Sequence, residues 1–268
     1  MITASWGPPL KSLDPAPSRT VAGEVYERLR ADIVGGRLEP GTKLASELLK
    51  ERYQAGSSPL REALSHLAAE GLVSAEGQKG FRVAAVSLRE FLDVCRLRLR
   101  LELQALHDAI RWGDAEWEVE IAARWHRLRL ALAEAGDGGY ADRWEASHRG
   151  FHFALLQGCR SPWLLGFIER LYDQHGRYRR VFVAYQAIPP DLMAEHGRMV
   201  DAALARDRDT AAGLLREHIL RAAELTERDI RTAGIADAAL VPEGFRRLLE
   251  EDAPPPPLSV PEARRARG

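Results

Sequence analysis

Apolar residues recur at helical spacing along most of the chain, and the breaks in that rhythm divide it into elements. Val21, Val25, Leu29 and Ile33 step by four, which predicts an amphipathic helix over residues 20–34, ended by Gly35 and Gly36. Leu38-Glu39-Pro40-Gly41 reads as a turn, because Pro fixes φ and Gly permits positive φ. A short helix is expected over 46–52, with Ser46 as its cap. The next is expected to be capped by Ser58 and to start at Pro59, with Leu60, Leu64, Leu67 and Ala68 on one face and Arg61 on the other. Gly71 stops it. Two short strands, 72–75 and 81–84, flank a hairpin tip at 76–80. Three helices followed by a hairpin outline a winged helix-turn-helix.

Beyond residue 86 no strand signal recurs. Ser87 and Glu90 form a capping-box pattern at the start of a helix over 88–112. Further helices are expected over 114–135, 140–157, 162–185, 190–205 and 207–232, joined by short connections. The fold class is therefore mainly α: an N-terminal winged helix-turn-helix plus a C-terminal six-helix antiparallel bundle. The expected organisation is a mobile arm (1–18), a winged helix-turn-helix domain (19–86), an all-helical domain (87–233), to which the family resemblance described below assigns effector binding and dimerisation, and a mostly disordered tail (234–268).

Composition narrows the function classes. The chain has 268 residues, 46% hydrophobic and 29% charged, with a net charge of −1, so nucleic-acid affinity must come from a local patch. Such a patch is offered by Lys43, Lys50, Arg52, Arg61, Lys79 and Arg82 around the predicted second helix pair and hairpin. No apolar run is long enough for a membrane span and no secretory leader is recognisable. The two cysteines, Cys95 and Cys159, read as buried free thiols, and a cytoplasmic location is expected.

The chemistry lies in the bundle. His148 and His152, four residues apart in WEASHRGFHFAL, leave one helix face beside Trp144, Phe151 and Leu155. His196 and His218 sit in apolar stripes of two later helices, so all four are expected to face inward. Each alone reads as a hydrogen-bonded core histidine. Converging, they would share a divalent ion, and an all-imidazole set suits Zn²⁺, Ni²⁺ or Cu²⁺. The alternative for His148 is direct contact with a ligand. Arg98 falls on the buried face of its helix and calls for an anion, either a ligand carboxylate or Glu102 four residues on. Arg177, Tyr178 and Arg179 could bind the other end of a dicarboxylate. Not all three can face inward, and Tyr178 best continues the Leu171 stripe.

GGRLEPGTKL, SPLREAL, LAAEGLV and QKGFRV together resemble the N-terminal domain of the GntR family of bacterial transcription regulators, across residues 20–86. The resemblance implies DNA contacts from Ser57, Ser58 and Arg61 and a wing glycine, Gly80, in the minor groove; Lys50, Lys79 and Arg82 would add phosphate contacts. Ser57 stands where many members carry arginine. Residues 88–230 resemble the FCD effector domain of the FadR subfamily, through Arg98 with Glu102, HRGFH, EHGRMVDAALARD and LLREHI. In many members an aspartate and three histidines hold a metal, which implies His148, His152, His196 and His218, with histidine in place of the usual aspartate at 148. SPLREALSHL, GCRSPWLL, RYR and ALARD are most similar to carbon-starvation-induced regulators that repress glutarate and related dicarboxylate catabolism.

The expected function is that of a homodimeric, DNA-binding repressor of a carboxylate-catabolism operon. A small carboxylate bound near a metal, zinc or nickel, in the helical domain would release it from a double-stranded operator. The ligand-binding set is Arg98, Arg177 and Tyr178. An acyl-CoA-responsive or metal-independent regulator of the same fold is the alternative. A metal-dependent hydrolase fits less well, since no HExxH, P-loop, GxSxG or dinucleotide motif occurs.

Overall fold

Thr20 opens the first helix by accepting a hydrogen bond on its hydroxyl from the Gly23 N–H (3.1 Å), and α1 (Val21–Val34) buries Val25, Leu29 and Ile33 as its spacing dictates. The computed structural model describes residues 20–77, 80–133, 140–182 and 191–235, together with residues 237, 247 and 249. The expectations for the arm at 1–18, Lys79, the loop at 136–139 and most of the tail lie outside the described residues.

After α1 come β1 (Lys43–Leu44), α2 (Ser46–Tyr53), α3 (Ser57–Ala69), β2 (Val73–Ala75) and β3 (Phe81–Val83). The sheet is antiparallel in the order β1-β3-β2, with Leu44 opposite Phe81 and Val73 opposite Val83. A strand as short as β1 carries no periodicity, which is why the sequence pattern does not reveal it. Both expected caps shift. Ala45 and Gly56 occupy the cap positions of α2 and α3 with no side-chain bond, and Ser46 and Ser57 are already helical. Pro59 still lies in the first turn of α3, where its missing N–H is harmless. Gly71 has φ +75°, the left-handed conformation that ends α3 and turns the chain into β2. Leu29, Leu49, Tyr53, Leu64, Leu67 and Val83 close this unit around its own core.

Among the described residues six long helices follow: α4 (Leu88–Trp112), α5 (Ala115–Ala133), α6 (Tyr140–Leu156), α7 (Pro162–Phe182), α8 (Leu192–Leu204) and α9 (Arg208–Thr232). They bury a second apolar core that includes Phe91, Leu106, Ile121, Trp144, Phe151 and Leu215. The Ser87 hydroxyl caps α4 as predicted, accepting from the Glu90 N–H (3.1 Å). The Glu90 carboxylate does not reach back to Ser87, as a full capping box would require. It accepts instead from the Tyr178 hydroxyl at 2.5 Å. Asp237 completes the cap by accepting from the N–H groups of Leu88 (3.0 Å) and Arg89 (3.2 Å). Leu249 is buried in the bundle core. The chain beyond residue 234 is thus tied to the bundle at these two positions. Both anchors are single residues, too sparse to show as periodicity.

Helix α7 joins the two units. Its Asp173 pairs with Arg30 of α1 and, at 2.8 Å, with Arg149 of α6. Gln174 donates to the Glu70 carbonyl (2.7 Å) at the end of α3. Arg177 donates to the Ala84 carbonyl (2.7 Å) in the connecting segment.

Candidate functional site

The four histidines reach one point from three helices. His148 and His152 come from successive turns of α6, His196 from α8 and His218 from α9. Each offers a nitrogen within 4.8 Å of the others', and all four are buried. His152 Nε2 lies 3.2 Å from His148 Nε2 and 3.3 Å from His196 Nε2. Trp144 stacks on His148, and Phe151 closes the side toward His196. The outer nitrogens are held as metal-binding histidines commonly are. His196 Nδ1 donates to the Leu192 carbonyl (2.8 Å), and His218 Nδ1 meets the Glu195 carboxylate (3.3 Å). Each bond leaves that ring's Nε2 with its lone pair facing the centre.

Burial keeps these rings neutral. It is the largest cause pushing all four below the usual histidine range, and His196 is pushed down to about 2. Neighbouring rings and Arg179 add repulsion for a proton. Neutral, converging imidazoles are a donor set suited to a divalent transition metal. Histidines whose folded pKa is depressed stabilise the fold fully above the unfolded value, near 6.5. As pH falls below that value, the unfolded chain takes up protons that the folded chain refuses. Each ring then removes about 1.4 kcal/mol per pH unit. Chelator-treated protein should therefore melt at progressively lower temperature from pH 7 to pH 5. A flat profile would show that the rings are not held neutral.

Helix α7 supplies the polar wall. The Tyr172 hydroxyl and Arg179 Nη1 each lie 3.2 Å from His148 Nδ1, and Arg179 also pairs with Glu145. His175, on the same helix, is buried and stacked on Phe91, with Nδ1 lacking a hydrogen-bond partner among the described residues. Arg98 is buried and pairs with Glu102 at 2.7 Å, its guanidinium 4.7 Å above the Tyr172 ring. Of the two partners its sequence allows, the internal one is present.

Arg177 and Tyr178 do not sit as the ligand-binding expectation requires. Arg177 is spent on the connecting segment and on Gln174 (2.7 Å), and the Tyr178 hydroxyl on Ser87 and Glu90. Arg179 is the member of the trio that reaches the histidines. Tyr172, His175 and Arg179 are spaced i, i+3, i+7, one helix face, and that pattern would have singled out Arg179. Glu195 also escaped the sequence reading, although it directly precedes His196.

In the N-terminal unit, Ser57 and Ser58 are exposed at the start of α3, and Arg61 is exposed one turn on. Gly80 has φ +92° at the hairpin, a conformation side chains resist. Arg82 is braced by Glu76 (2.8 Å) and the Gly41 carbonyl (2.6 Å), and Lys50 by Glu47 (2.8 Å).

Comparison with known proteins follows the same division. A model of bacterial regulatory proteins of the gntR family matches residues 21–83, and an FCD-domain model matches residues 93–221. Over 203 residues the chain is 40% identical to the uncharacterized HTH-type transcriptional regulator BphR of Paraburkholderia xenovorans (strain LB400), covering 75% of this chain and 83% of that one. The chain belongs to the GntR family. It carries an FCD domain behind the winged helix and is a DNA-binding transcription regulator, not an enzyme. It is 38% identical over 199 residues to the repressor GlaR of Escherichia coli (strain K12), covering 73% of this chain and 90% of that protein. Among solved structures, E. coli McbR/YncC superposes with TM-score 0.68 at 22% identity, over 78% of this chain and 98% of that one. A GntR-type regulator from Rhodococcus sp. RHA1 gives 0.65 at 17% identity, over 76% and 96%. At these identities the structural likeness speaks for the fold. No helix among the described residues is long and apolar enough to cross a membrane.

Proposed function

We propose that this GntR-family regulator is a cytoplasmic, homodimeric repressor whose DNA affinity is set by a small mono- or dicarboxylate bound beside a divalent transition metal, zinc or nickel. The observation that carries this is the convergence of His148, His152, His196 and His218 in a buried cluster. The ion would supply a positive charge that neutral imidazoles leave uncompensated, and the polar wall adds Arg179 beside it. A carboxylate answers both. Repression is suggested by the likeness to GlaR, itself named a repressor. Two copies reading a pseudo-palindromic operator would fit the winged-helix geometry.

Coupling between pocket and DNA would run through α6 and α7. His148 and Tyr172 face the pocket, while their sequence neighbours Arg149 and Asp173 form the ion-pair cluster with Arg30 of α1. A ligand that shifts α7 against α6 must therefore disturb the seating of α1. Such a ligand changes DNA affinity only by the difference in its own affinity for the two arrangements.

Base and phosphate contacts are assigned to Ser57, Ser58, Arg61 and Gly80, and from the sequence alone to Lys79. Lys50 and Arg82 keep internal acidic partners, so their share should be smaller. Fluorescence anisotropy with an operator selected from a random-sequence library tests the proposal. Arg61→Ala should weaken binding by about 1–3 kcal/mol, and a C3–C6 carboxylate should weaken the wild type. Unchanged affinity for Arg61→Ala would remove α3 from the interface.

A further inference from the structure

The outer contacts of the four rings divide them into two kinds. The partners of His196 and His218, a carbonyl and a carboxylate, accept hydrogen bonds, so Nδ1 carries the hydrogen and Nε2 is bare. His148 is reversed. Its Nδ1 faces Arg179 Nη1, which can only donate, and the Tyr172 hydroxyl, which can donate as well. Nδ1 is then the acceptor, and the neutral ring carries its hydrogen on Nε2. That nitrogen faces the centre, 3.2 Å from His152 Nε2. A protonated Nε2 has no lone pair to give a metal.

Further contacts sharpen the division. Arg179 is itself fixed by Glu145, on α6 with His148, so the donor is held against the ring from its own helix. His152 and His196 present Nε2 to Nε2 at 3.3 Å, and a bare Nε2 on each would demand a cation between them. Once that cation takes the His152 lone pair, the His148 N–H must find another acceptor.

We infer that His152, His196 and His218 hold the ion, and that His148 stands outside its coordination shell as a hydrogen-bond donor to the anion completing it. This assignment rests on the metal-dependent function proposed above and names the residue that reads the ligand. Three neutral imidazoles leave the ion's charge whole and one position open. The His148 N–H and the Arg179 guanidinium behind it then favour a carboxylate over a neutral ligand in that position.

The test uses full-length protein and four chains: wild type, His152→Ala, His148→Leu and His148→Asn. Zinc affinity is measured by competition with a chromophoric chelator, and the Co²⁺-loaded forms are titrated with succinate while the d–d absorption is followed. Zinc affinity should fall more than about 100-fold in His152→Ala, beyond what loss of an outer-shell partner costs, and stay within a few-fold of wild type in both His148 variants. Succinate should change the Co²⁺ spectrum of the wild type and of His148→Asn, whose amide still donates, but at least tenfold more weakly in His148→Leu. Loss of zinc from the His148 variants as complete as in His152→Ala would overturn the inference while leaving the metal-dependent function standing. So would an undiminished succinate response in His148→Leu. No zinc bound by the wild type would overturn both.

Discussion

His152→Ala should abolish the stabilisation of the protein by zinc. In the wild type, zinc at a hundred times its dissociation constant stabilises the folded state by about 2.7 kcal/mol. For a chain of this size that raises the melting temperature by roughly 5–10 °C. His152 sits at the centre of the cluster, its Nε2 facing both His148 and His196, so no neighbouring ring can take its place. The variant should fold, because it loses a neutral side chain that forms no ion pair among the described residues, and should melt at one temperature with or without zinc. An equal zinc-induced rise in both proteins would remove His152 from the site.

Arg177→Ala should loosen the joint between the two units without touching the metal site. The side chain is buried, and burial pushes its pKa down, yet it is retained because it serves the Ala84 carbonyl, the Ala85 carbonyl at 3.4 Å and Gln174. Truncation strands the two backbone acceptors and costs roughly 2–3 kcal/mol. Hydrogen exchange should rise over residues 84–88, where Tyr178 and Asp237 also hold the chain, while zinc affinity stays within a few-fold. Unchanged exchange, together with a lost response to carboxylates, would restore Arg177 to the ligand site.

Much of this was legible in the sequence, for physical reasons. Helices announce themselves through spacing, so the six bundle helices and the inward faces of His148, His152, His196 and His218 follow from apolar stripes alone. The hairpin declares itself through glycine. What stayed hidden depends on contacts between distant residues. Spacing cannot say which of Arg177, Tyr178 and Arg179 faces the histidines, because consecutive residues on a helix point about 100° apart and α7 is buried on more than one side. Arg98 had two chemically equivalent answers, and only packing distinguishes Glu102 from a ligand. The reversed hydrogen-bonding role of His148 needs Arg179 in place before it can be seen. Asp237 and Leu249 act as single anchors and carry no repeating signal.

The central claim is that the histidine pocket makes DNA affinity answer to an anion through a bound metal. The most direct measurement is operator binding by fluorescence anisotropy, with zinc-loaded and chelator-treated protein titrated in parallel with C3–C6 mono- and dicarboxylates. At least one acid should weaken operator binding tenfold or more in the zinc-loaded protein, which corresponds to about 1.4 kcal/mol of coupling, and the effect should vanish on chelation. If no acid changes operator affinity, or if the change is the same with and without metal, the pocket is not the sensor described here.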